Sequence, residues 1–129
     1  MNTVSAKLSA FLEQVTIARK QALQKGIKPS PALARSNMEN LSAMNGKGPD
    51  IRYISDGSFF VETDSRTEIP FRIYSPDPTA KLPVILHFHG GGHMCGDLDI
   101  YDAISRRMAK HTNSIVITLD YRLAPEYPY

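Results

Sequence analysis

The chain lacks most of the features that would set it apart from ordinary globular proteins. It has one cysteine, Cys95, among 129 residues. No internal disulfide can form, and a reducing, cytoplasmic setting is the expectation. No stretch approaches the ~20 consecutive apolar residues of a membrane helix. The first fifteen positions are interrupted by Lys7 and Glu13, so no signal peptide is expected either. Charge of one sign is also lacking: 15 basic and 13 acidic residues are interspersed for a net of +2. Without a basic block to track a phosphate backbone, nucleic acid is not an expected partner. There is no repeat and no low-complexity tract. What is present, 42% hydrophobic residues in a chain of one-domain length, suits a single folded core.

Hydrophobic spacing divides the chain. Val4, Leu8, Phe11, Leu12, Val15, Ala18, Ala22 and Leu23 recur at helical period, and Lys25-Gly26 supplies a basic last turn followed by a terminating glycine. Ser30-Pro31 offers a capping serine with proline at the first helical position, opening a second helix through Ala34, Met38 and Leu41 that stops before Asn45-Gly46. The pair suits a lid over an apolar site or a helical layer packed on a core, and periodicity does not separate the two. Gly46-Lys47-Gly48-Pro49 reads as a linker. Residues 51–61 are rich in β-branched and aromatic types, and in residues 69–74 Phe71 and Ile73 alternate with Arg72 and Tyr74. An antiparallel hairpin is expected, turning in Thr63-Asp64-Ser65-Arg66 and ended by Pro76-Asp77-Pro78. Residues 83–88 and 115–119 are short, nearly continuous apolar runs of the kind buried in parallel sheets. Between them, residues 100–111 place Ile104, Met108 and Ala109 on one side and Arg106, Arg107 and Lys110 on the other, which suits a right-handed crossover helix.

The chemistry concentrates at His89-Gly90-Gly91-Gly92, where the first buried strand ends. Adjacent glycines permit backbone conformations closed to other residues and let amide N–H groups approach a ligand closely. In acyl transfer the attacked carbonyl becomes an oxyanion, and each preorganised N–H donor aimed at it supplies about 3 kcal/mol. The triplet has company: His87-Phe88 precedes it, Gly96-Asp97-Leu98-Asp99 follows, and Asp120-Tyr121-Arg122-Leu123-Ala124-Pro125-Glu126 closes the series. This combination resembles the hormone-sensitive-lipase-like branch of the carboxylesterases and lipases. The H-G-G-G turn is a recognised oxyanion-hole element of such enzymes.

The resemblance implies an α/β fold, the amino-terminal part of the α/β-hydrolase fold: a helical cap segment over residues 1–46, then residues 47–129 with the hairpin and the parallel strands joined by the crossover helix. It assigns the oxyanion amides to Gly91 and Gly92 and a loop-holding role to His89. His93 then lines the substrate pocket, a departure from the aromatic or bulky apolar residue more common in the family. Asp120 and Arg122 resemble a structural charge pair at the end of the fourth strand, not the triad acid. A small-molecule ester with a short to medium acyl chain is the implied substrate, with no metal or organic cofactor.

Such an enzyme also needs a serine in a G-x-S-x-G turn, an Asp or Glu, and a His. No serine here has that setting; Ser55 and Ser58 both fail on their neighbours. His111, in the last turn of the crossover helix, reads as an ordinary exposed residue. The chain alone is therefore expected to be inactive. Its third strand would have a bare edge, so the expectation is a companion polypeptide, self-association, or a fragment left by a premature stop, a frameshift or proteolysis, with the fragment favoured. Two other readings remain: a non-catalytic binding or regulatory remnant, and a metal site from His87, His89, His93 and Cys95, four potential ligands within nine positions.

Overall fold

The computed structural model describes residues 5–62 and 66–128. The expected turn at Thr63-Asp64-Ser65 and the helix start at Val4 lie outside them. The chain forms two compact units, Met1–Ser30 and Pro31–Tyr129.

The first unit holds α1, Ala6–Gln24, whose amino end is capped by the Ser5 side chain accepting from the Leu8 N–H at 3.3 Å. It stops where the sequence placed its stop. Gly26 adopts φ +72°, its N–H donating to Leu23 O and the next N–H, of Ile27, to Ala22 O, each at 3.0 Å. That crossed pair satisfies carbonyls the helix leaves open.

The second unit comprises α2 (Pro31–Ala43), β1 (Tyr53–Val61), β2 (Thr67–Ser75), β3 (Val84–Phe88), α3 (Asp102–Thr112) and β4 (Ile115–Leu119). The sheet order is β1-β2-β4-β3, with β1–β2 and β2–β4 antiparallel and β3–β4 parallel. Helix α3 makes the crossover between the parallel strands and packs on β2 and β4. Asn113, left-handed at φ 51°, ends it and turns the chain into β4.

Alternation along β2 sets Phe71 and Ile73 on one face and Arg72 and Tyr74 on the other, and it is the second face that α3 covers: Tyr74 is fully buried. It lies opposite Val116, which lies opposite Ile85, and these with Ala109 and Met108 of α3 make the core. The polar groups on that face are compensated. The Tyr74 hydroxyl donates to Asp102 at 3.0 Å, Asp102 holds Arg106 at 2.6 Å, and Arg72 bridges Asp56 and Asp99. Burial and the Asp102 charge both push the Tyr74 phenol pKa up, so it stays a neutral donor. Small residues let α3 sit close to the sheet: Ser105 and Ala109 are fully buried, while Ile104 and Met108 flank them only partly covered.

The other sheet face carries Phe71, Ile73, Ile117, Leu86 and Phe88, and the described residues leave much of it bare. Val84, Leu86 and Phe88 of β3 are 57%, 59% and 63% exposed. Each such side chain forgoes roughly 1–2 kcal/mol of what full burial would supply. Strand β3 is also an edge, paired only with β4 among the described residues.

Candidate active site

At the end of β3 the chain turns through His89, which is 3% exposed and lies between two rings. Tyr101 stacks on it at 5.1 Å and Tyr121 at 4.5 Å between centroids. The Tyr121 hydroxyl also donates to His89 O at 2.5 Å. Ring Nδ1 lies 2.9 Å from Gly90 O and serves it as a donor, while Nε2 is buried without a partner among the described residues.

That contact sets the next peptide. A trans peptide is planar, so its C=O and N–H point in opposite directions. With Gly90 O held against the His89 ring, Gly91 N–H faces away from it. The following peptide is held more firmly: Gly91 O accepts from Met94 N and Cys95 N, both at 3.2 Å, and from the Cys95 thiol at 3.0 Å. Gly92 N–H is thereby turned the other way. Neither Gly91 N–H nor Gly92 N–H donates a hydrogen bond to any described residue. Two adjacent amides are thus oriented by their carbonyls and left available. The glycine at 91 is obligatory, because its φ is +134° and an added Cβ would stand 1.8 Å from Cys95 O.

The turn is tied down on its far side. Ala124 N donates to His93 O at 2.8 Å. Arg35 of α2 reaches in with its Nε to Met94 O at 2.9 Å, its Nη2 to Ala124 O at 3.1 Å, and a bidentate pair on Glu126 at 2.6 and 2.9 Å. The Arg35 hydrogen bonds hold the Glu126 carboxyl down at about 2.

The sequence and the fold are similar to those of known proteins. A family model described as alpha/beta hydrolase fold matches residues 85–129. Carboxylesterase NlhH of Mycobacterium tuberculosis is 39% identical over 99 residues, covering 75% of this chain and 30% of the relative. Esterase LipI of the same organism is 53% identical over 62 residues, 45% of this chain and 19% of its own length. A solved esterase from Pyrobaculum calidifontis superposes with a TM-score of 0.74 at 26% identity, over 98% of this chain and 38% of that one. This chain carries part of an alpha/beta hydrolase fold. It spans less than a third of the length of these curated relatives.

Within the second unit, His89, Gly90, Gly91 and Gly92 come together as one turn, with His93 exposed beside it at φ 60°. Two contributors were not singled out from sequence: Tyr101 carries no periodic signal, and Arg35 lies 59 residues from the nearest carbonyl it holds. Cys95 was named as a potential metal ligand, not as a donor to Gly91 O. Tyr121 stood inside the quoted motif, but its ring contact did not.

Two sequence readings need correction. Asp120 and Arg122 do not pair with each other: Arg122 lies over the Tyr127 ring at 4.6 Å, and the Asp120 N–H donates to Pro70 O. Burial first, then the Asp97 charge, push the Asp120 carboxyl up. Nor do His87, His89, His93 and Cys95 converge, and no three His, Cys, Asp or Glu side chains form a metal-sized group among the described residues. His87 points to the α3 side, within 3.3 Å of Thr118 Oγ1 and 3.4 Å of Ser105 Oγ. Burial and then the neighbouring His89 lower its pKa, keeping the ring neutral. His111 is exposed in the last turn of α3. No helix among the described residues is long and apolar enough to cross a membrane.

Proposed function

We propose that this hydrolase segment supplies the oxyanion hole of a carboxylic ester hydrolase of the hormone-sensitive-lipase-like group, acting on esters of short to medium acyl chains. The observation that carries the reading is the pair of unengaged amides at Gly91 and Gly92, each aimed by a held carbonyl. A serine attacks the ester carbonyl, and the negative oxygen of the tetrahedral intermediate accepts from both N–H groups. The alcohol leaves, and water then attacks the acyl-enzyme through a second oxyanion in the same place. The serine, its histidine and the acid come from polypeptide outside this chain, since no serine here stands in a G-x-S-x-G turn. The bare β3 edge and the apolar face behind it support a polypeptide partner or a second copy there. His93 borders the substrate space, residues 1–46 serve as a cap segment, and the protein works in the cytoplasm, where the lone buried Cys95 stays reduced.

The test is complementation. The 129-residue chain alone is expected to leave short-chain p-nitrophenyl esters intact, and addition of a polypeptide carrying the G-x-S-x-G turn and the later triad residues is expected to restore hydrolysis. Turnover by the chain alone, or none after an association verified by sedimentation, refutes the reading.

A further inference from the structure

The oxyanion turn separates two cavities of opposite electrostatic character. One, of about 250 Å³, is bordered by Glu39, Asp97 and Asp120, with Arg35 as its only cation among the described residues. That cation is already neutralised by Glu126. The other, of about 240 Å³, is lined by His93, Arg122, Tyr127 and Pro128 and has no carboxylate in its wall among the described residues. Its two sides are tied together by the Ala124 N–H bond to His93 O, and the Tyr127 N–H bond to Leu123 O shapes the outer turn.

Arg122 is the distinctive group there. Its guanidinium lies over the Tyr127 ring at 4.6 Å and makes no ion pair among the described residues. Stacking occupies the face of the planar group and leaves its in-plane N–H donors unused, in the fork geometry that matches a carboxylate. His93, next in sequence to an oxyanion glycine, adds a ring that can donate from the other wall. We propose that this cavity is a subsite for a carboxylate carried by the substrate, so that half-esters of short dicarboxylic acids are the preferred substrates. The inference rests on the ester-hydrolase reading and deepens it. The volume is below the ~300–1,000 Å³ usual for drug-sized ligands, which suits a short acid arm. The acidic cavity on the other side repels the same group.

The experiment uses the 129-residue chain with monomethyl glutarate as the anionic probe and dimethyl glutarate as its neutral counterpart. NMR signals of the His93 ring are followed as each is added. A saturable shift is expected with monomethyl glutarate only, abolished in Arg122→Gln and weakened but present in Arg122→Lys. An equal response to the dimethyl ester, or one that survives in Arg122→Gln, overturns the proposal. A parallel readout uses the complemented enzyme, in which the kcat/KM preference for the monoanionic over the neutral ester is expected to fall about tenfold in Arg122→Gln. Neutral-ester turnover with no anion preference would sink the subsite and leave the esterase reading standing. Anion binding without turnover of any ester would do the opposite.

Discussion

Replacing Gly91 and Gly92 by alanine, one at a time, separates geometry from chemistry, because both variants keep the N–H that the oxyanion would use. At position 91 the new Cβ would stand 1.8 Å from Cys95 O and 2.7 Å from its carbonyl carbon, so the backbone must move by more than an ångström. Strain at a positive φ adds about 1–3 kcal/mol, and forced overpacking about 1–3 kcal/mol more. The local conformation is therefore disfavoured by roughly 2–6 kcal/mol and gives way. At position 92 φ is +63° and nothing lies within 4 Å of the new atom, leaving only the left-handed cost of about 1–2 kcal/mol. Gly91→Ala displaces the carbonyl that aims Gly92 N–H, so up to one oxyanion donor is lost, about 3 kcal/mol or ~10²-fold in kcat. The assay is hydrolysis of p-nitrophenyl butyrate by the complemented enzyme, with denaturant unfolding of each variant alongside. Expected are a loss of ~10²-fold for Gly91→Ala and less than about tenfold for Gly92→Ala. If the two variants agree within about threefold in rate, and unfold at the same midpoint, the orientation argument fails.

Two further outcomes follow from the same coordinates. The Glu126 carboxyl sits at about 2 in the fold against an ordinary 4.5, so its contribution to stability is present above 4.5 and lost as pH falls toward 2. Arg35→Gln should flatten that part of the pH–stability profile measured by denaturant midpoints, and an unchanged profile would show the pair contributes nothing. Leu86→Glu, at the centre of the bare β3 edge, should lower self-association and apolar-dye binding. Sedimentation velocity checks it, and a wild-type chain that is monomeric and binds no dye contradicts the reasoning.

The local elements were legible because their signals are local. Ser5 and Gly26 sit where a capping serine and a terminating glycine belong, the two apolar runs became parallel strands, and the glycine turn fell at the end of β3. Period-two alternation shows that a strand has two faces without showing which one a helix will cover. Tyr74 went under α3 because its hydroxyl finds Asp102, 28 residues later. Phe71 was left on the uncovered side.

The residue types at 89–92 by themselves determined that a ligand-facing turn could form, since only glycine tolerates φ +134° with a carbonyl 1.8 Å from the Cβ position. Where that turn's amides point was decided by contacts that have no sequence period: the His89 ring between Tyr101 and Tyr121, the Cys95 thiol on Gly91 O, and Arg35 reaching carbonyls and a carboxylate 59 to 91 positions away. The same holds for the failed ligand set and the unpaired Asp120 and Arg122. Closeness along a chain brings side chains together only when the backbone between them allows it: the positive φ angles at 91–93 separate the strand histidines from His93 and Cys95, and past β4 the Asp120 N–H is tied to Pro70 O while the Arg122 guanidinium lies over Tyr127.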